Sequence, residues 1–73
     1  MTKGECRVGI TFNPSNDDMV GKIKRAAADL IDLIETIDVM DIFEVARLKA
    51  LAQTEIESAA MWAVKAATKG PME

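Results

Sequence analysis

The stretch IKRAAADLIDLIETI, residues Ile23 to Ile37, places apolar residues at Ile23, Ala27, Leu30, Ile34 and Ile37. Spacings of four and three draw one apolar seam along a helix, and such a seam requires a partner helix. Ile31 and Leu33 fall outside it, so this helix has a second apolar face, covered most simply by another copy of the chain. Upstream, Pro14 leads into Ser15 and Asn16, which offer N-cap oxygens; the first helix is predicted over 17–39.

Asp41 and Glu44 have the D-x-x-E form of a capping box, which puts a bend around Val39 to Asp41 and a second helix over 42–68. Lys65 and Lys69 suit its C-terminal end, and Gly70-Pro71 is a stop signal. Its seam runs through Val45, Leu48, Ala52, Ile56, Ala59, Ala63 and Ala66, a spacing slightly above the coiled-coil value, so the packing is tight and weakly supercoiled. Met61, Trp62 and Val64 put bulk on the remaining faces, and Trp62 is expected to pack at an interface. A helix apolar nearly all round is a buried helix, and in 73 residues only other copies can bury it. The expected fold is all-α. It is one helical-hairpin domain over 1–73: an antiparallel two-helix hairpin with a short N-terminal extended arm and turn over 1–15, assembled as a homo-oligomer.

The arm is read from Cys6 to Phe12, CRVGITF, where Val8, Ile10 and Phe12 alternate. Phe12-Asn13-Pro14-Ser15 then turns into the helix, because Pro14 fixes its own φ and disfavours helix at Asn13. The turn delivers Phe12 and Asn13 beside the basic helix end. An aromatic face, an amide and several cations are the groups that stack on a base, bond its edge and neutralise a phosphate. The plainer reading is that Phe12 staples the arm to the core.

Charge follows an order that opposes the helix dipole. Lys22, Lys24 and Arg25 crowd the N-terminal part of the first helix, while Asp29, Asp32, Glu35 and Asp38 follow. A helix N-terminus is already partly positive, so an arriving phosphate would relieve the repulsion. Equally, Asp17 and Asp18 in the first turn restore the dipole and leave the basic residues solvated. An antiparallel hairpin brings Lys65 and Lys69 to the same pole. The net charge of −3 argues against a general nucleic-acid binder and for a small anionic ligand.

The residue types present also exclude classes. There is no His and no Tyr, and the single Cys6 has no base partner in sequence and cannot form an internal disulfide. No metal site, cofactor or Gly-rich phosphate loop is expected, and the chain is not read as an enzyme. Met1 to Val8 has no apolar stretch like a signal peptide's, and no segment has the length of a membrane span, so a cytosolic protein is expected.

Four ordered segments carry a resemblance: FNPSN (Phe12 to Asn16), IKRAAADLID (Ile23 to Asp32), ARLKALA (Ala46 to Ala52) and IESAAMWAVKA (Ile56 to Ala66). Together they resemble the hairpin domain of phage cyclic-nucleotide sponges, the anti-CBASS sponges and related Thoeris anti-defence proteins, from about Val8 to Lys69. The resemblance implies a homo-oligomer, often a hexamer, that sequesters immune signalling nucleotides in the cytoplasm of the infected bacterium without degrading them. Its ligands would be cyclic dinucleotides such as 3′,3′-cyclic GMP–AMP, in some members cyclic trinucleotides, and in related members cyclic ADP-ribose isomers. It also implies a phosphate-binding lysine early in the first helix, matched by Lys24, and a stacking aromatic near Ile10. No Tyr stands there, so either Phe12 takes over the stacking or the base meets an aliphatic surface. A basic residue late in the second helix, matched by Lys65, would serve a trinucleotide site. The candidate ligand-binding set is Ile10, Thr11, Phe12, Asn13, Pro14, Lys22, Lys24, Arg25 and Lys65. The alternative is a helical-hairpin interaction protein that blocks a host protein and takes no nucleotide.

Overall fold

The computed structural model describes residues 1–14 and 16–70. Among them the chain forms three helices and no strand: α1 (Lys3–Val8), α2 (Asp18–Glu35) and α3 (Phe43–Thr68). The last two make the hairpin, and α1 packs chiefly on α2.

The extended arm expected from Cys6 to Phe12 is not formed. Its first residues belong to α1, which the sequence caps at both ends. Thr2 accepts a hydrogen bond from the Glu5 amide while the Glu5 carboxylate accepts from the Thr2 amide, a reciprocal capping box. At the other end Gly9, with φ 64°, takes the left-handed cap; its N–H donates to Cys6 and that of Ile10 to Glu5. The alternation of Val8, Ile10 and Phe12 thus spans a helix end and a turn.

Six residues cannot hold a helix alone, and α1 persists through what it touches. Gly4 is buried against α2, its N–H donating to Asp32 Oδ1 at 2.7 Å. Around it, Lys3 pairs with Glu35, Glu5 with Arg25, and Arg7 with Glu57.

The turn after α1 enters α2 through Asn13, whose Oδ1 accepts from the Asp17 N–H and whose Nδ2 donates to the Asp17 carbonyl. Asp17 is the N-cap and accepts from the Met19 amide. The expected cap, at Ser15 or Asn16, falls one or two residues too early: Asn16 sits at φ 51°, and Ser15 lies outside the described residues.

In α2 the buried face is Val20, Lys24, Ala28 and Ile31, rotated from the expected seam; Leu30 and Ile37 on that seam are about half exposed. The rotation has a physical cause: α2 serves two neighbours, α1 and α3, so the face between them is buried. Ile31, expected outside the seam, is fully buried. On α3 the buried positions are Gln53 and Ala60. Gln53 is satisfied throughout, donating to the Ile31 carbonyl and Glu35 and accepting from Lys3.

α2 ends at Glu35, before the expected Val39, because Thr36 closes it: its hydroxyl donates to the Leu33 carbonyl at 2.6 Å. Lys49 of α3 donates to the carbonyls of Glu35 and Ile37, placing a cation at the negative end of a helix whose last turn has none. Met40 and Asp41 then take positive φ of 52° and 58°. A left-handed Asp41 cannot act as an N-cap, which needs extended backbone, so the expected Asp41–Glu44 box does not form. Ile42 occupies the cap without a side-chain bond, and Glu44 pairs with Arg47. Pro71, part of the expected stop signal, lies outside the described residues.

The thinnest dimension is 12 Å, less than two stacked helix layers require. Large apolar side chains therefore stay on the surface, among them Leu33, Phe43, Met61 and Trp62.

Candidate functional site

The turn that follows α1 is held by one lysine. Lys24 rises from the buried face of α2, its stem in the core, and its ammonium donates to the carbonyls of Gly9, at 2.9 Å, and Phe12. The same ammonium stands 5.4 Å from the centre of the Phe12 ring, a cation–π contact. With its backbone anchored, Phe12 projects a ring into solvent; the residue is 72% exposed.

Between this ring and α3 lies a cleft of about 470 Å³, within the usual range for small-ligand sites. Val8, Phe12 and Lys24 form one wall; Glu57, Ala60, Met61, Val64, Lys65 and Thr68, one face of α3, form the other. Most of the lining is apolar, and the polar exceptions are chiefly charged. Lys65 places its ammonium 5.6 Å from the Trp62 ring centre. Among the described residues neither Lys24 nor Lys65 has an ion-pair partner, whereas Glu57 is paired with Arg7. A narrower cleft of about 300 Å³ also borders Phe12 and Lys24, between Asn13, Pro14, Val20, Val64 and Thr68.

The chain matches the Acb2/Tad1 hairpin domain family over residues 2–68. It belongs to that family. The family is one of anti-CBASS and anti-Thoeris sponges, anti-defence proteins that bind cyclic nucleotides. No curated protein and no solved structure gives a significant match.

For this Acb2/Tad1 family member, the structure brings together three of the candidates read from the sequence, Phe12, Lys24 and Lys65. Asn13 and Pro14 border the narrower cleft, but the Asn13 amide already bonds the Asp17 backbone through both its oxygen and its nitrogen. Ile10 and Thr11 lie in the turn and line neither cleft. Lys22 and Arg25 border a separate open depression of about 620 Å³ with Asp17, Asp18 and Asp29. Arg25 is committed there to Glu5 and Asp29, hydrogen bonds that raise its pKa. In return, Arg25 and then the Thr2 amide hold the Glu5 carboxyl down at about 2. Asp17 supplies the negative charge that the N-terminus of α2 attracts, so the charge order along α2 is answered within the chain.

Reasoning from the sequence misses Val8, Glu57, Ala60, Met61, Val64 and Thr68 as cleft residues. Glu57, Met61 and Thr68 share a helical face with Lys65, at separations of eight, four and three residues, and that spacing is the signal that could have found them. Val8 is unreachable without recognising α1.

No group of three or more metal-ligating side chains converges among the described residues, and no helix is long and apolar enough to cross a membrane.

Proposed function

We propose that the cleft between Phe12 and α3 binds a cyclic oligonucleotide and sequesters it intact. Support comes from one observation above the rest: two lysines without carboxylate partners among the described residues flank an exposed aromatic ring in a mostly apolar cleft. A base stacks on Phe12, worth roughly 1–3 kcal/mol, and phosphates take the ammonium of Lys65 and the remaining N–H of Lys24. The cleft groups an acceptor and cations but no His or activated nucleophile, which suits retention over cleavage.

The ligand class is a cyclic dinucleotide such as 3′,3′-cyclic GMP–AMP, with a cyclic trinucleotide or a cyclic ADP-ribose isomer as the related possibilities in the family. One thin layer of helices leaves the cleft open on a side. A homo-oligomer, read as a hexamer, closes it and covers Leu33, Met61 and Trp62. Action in the cytoplasm of the infected bacterium, starving a nucleotide-activated effector of its signal, follows from this reading.

Isothermal titration at known oligomeric mass with 3′,3′-cyclic GMP–AMP and with cyclic triadenylate tests it, followed by recovery of ligand after proteolysis. Tight binding with intact recovered ligand is expected. Degraded ligand would overturn sequestration, and absence of heat with both would move the ligand to a cyclic ADP-ribose isomer.

A further inference from the structure

Among the side chains that line the cleft, Glu57 is the one whose presence the binding of an anion does not explain. It sits on the α3 wall, half-buried, at one end of the face that carries Lys65 at the other. A bare carboxylate there would repel phosphate. It is not bare: Arg7 donates its Nε to Glu57 Oε1 and a second guanidinium nitrogen to the Thr54 hydroxyl. The pair fixes the carboxylate and offsets its charge, while Glu57 Oε2 has no hydrogen-bond partner among the described residues. The other uncharged polar side chains lining the clefts beside Phe12 are engaged within the chain, and neither presents two acceptor atoms side by side. The Asn13 amide bonds the Asp17 backbone, and the Thr68 hydroxyl donates to the Val64 carbonyl.

An ionised carboxylate is acceptor-only. It matches a base edge that presents two adjacent donors, as guanine does with N1–H and its 2-amino group, and mismatches adenine, whose corresponding edge alternates donor and acceptor. We propose that Glu57, held by Arg7, reads the base and makes the cleft selective for a cyclic nucleotide carrying guanine. This rests on the cleft being the nucleotide site, as proposed above.

Isothermal titration of the intact protein with cyclic di-GMP, 3′,3′-cyclic GMP–AMP and cyclic di-AMP decides it. The two guanine-bearing ligands are expected to bind about tenfold tighter or more than cyclic di-AMP, the range of a matched bidentate base contact. In Glu57→Gln, which offers a donor and an acceptor, that gap should close by loss of guanine affinity. Equal binding of all three by the wild-type protein, or preference for cyclic di-AMP, overturns the role of Glu57 while leaving the cleft a nucleotide site. No binding of any of them overturns the role of Glu57, and titration with cyclic triadenylate and a cyclic ADP-ribose isomer then decides whether the cleft is a nucleotide site. If Glu57→Gln fails to fold, the wild-type ranking of the three ligands still separates these outcomes.

Discussion

The backbone of Gly4 lies directly against the carbonyl of Ala28: a Cβ on Gly4 would stand 2.1 Å from that oxygen, a distance no side chain can occupy. Both partners are helix backbone, so neither has a flexible end to move aside. Gly4→Ala must therefore push α1 off α2. Overpacking of this kind costs about 1–3 kcal/mol. Because α1 carries Val8 and anchors the turn to Phe12, the variant should lose stability and ligand affinity together, checked by denaturant unfolding and isothermal titration. A variant with wild-type values for both would show that α1 does not support the cleft.

The two cleft lysines should separate when each is removed. Lys65 is exposed, so Lys65→Ala should leave stability within about 0.5 kcal/mol while weakening binding by the roughly 1.5–3 kcal/mol of a charge-assisted contact. Lys24 is buried on two carbonyls, so Lys24→Met should lose binding and about 1–3 kcal/mol of stability as well. Parallel unfolding and titration curves for the two variants check the contrast; a fully stable Lys24→Met would contradict the anchoring of the turn.

Acid should undo α1 first. Hydrogen bonds from Lys3 and then Gln53 hold the Glu35 carboxyl at about 2, and Arg25 does the same for Glu5, against an ordinary value of 4.5. A folded-state pKa below the unfolded one means stabilisation that is complete above the unfolded value and fades as pH falls through the folded one. Both carboxylates tie α1 to the hairpin or sit on it. Between about pH 4.5 and 2, amide exchange in α1 should accelerate before that in α3, and added salt should weaken the effect because the pairs are solvent-exposed. Uniform acceleration along the chain would rule this out.

Trp62 is 67% exposed, so Trp62→Ala should leave the protomer's helicity unchanged. If the apolar surface is covered by further copies, the same change should lower the mass measured by light scattering. An unchanged assembly would remove Trp62 from the interface.

The hairpin is legible in the sequence because two long apolar patterns survive any local error: a run of Ile and Leu at helical spacing can be satisfied only by another helix. The exact buried face is not, since the rotation of α2 depends on α1, and α1 is hidden behind an alternation of Val8, Ile10 and Phe12. Its signal stands at Thr2, Glu5 and Gly9, whose cap geometry outweighs three alternating apolar residues. For the site, Phe12, Lys24 and Lys65 can be found from residue type and pole. Glu57 cannot, because a glutamate on a charged helix reads as solvated until Arg7 is seen beside it. At the bend, the Asp41–Glu44 pattern misleads because local motif and local backbone disagree: two successive left-handed residues leave no room for the cap.

The shortest element of the protein contributes Val8 to one wall of the proposed ligand cleft. Six residues of α1 have no independent stability, so opening and closing of that wall is a local equilibrium far cheaper than unfolding the hairpin. A bound ligand that touches Val8 and Phe12 draws this equilibrium shut, and part of its binding energy is stored as order in α1. On the proposed reading, release then waits for α1 to detach. For a protein proposed to work by retention, residence time is the quantity that matters, and its expected gate is how rarely a helix of barely more than one turn lets go.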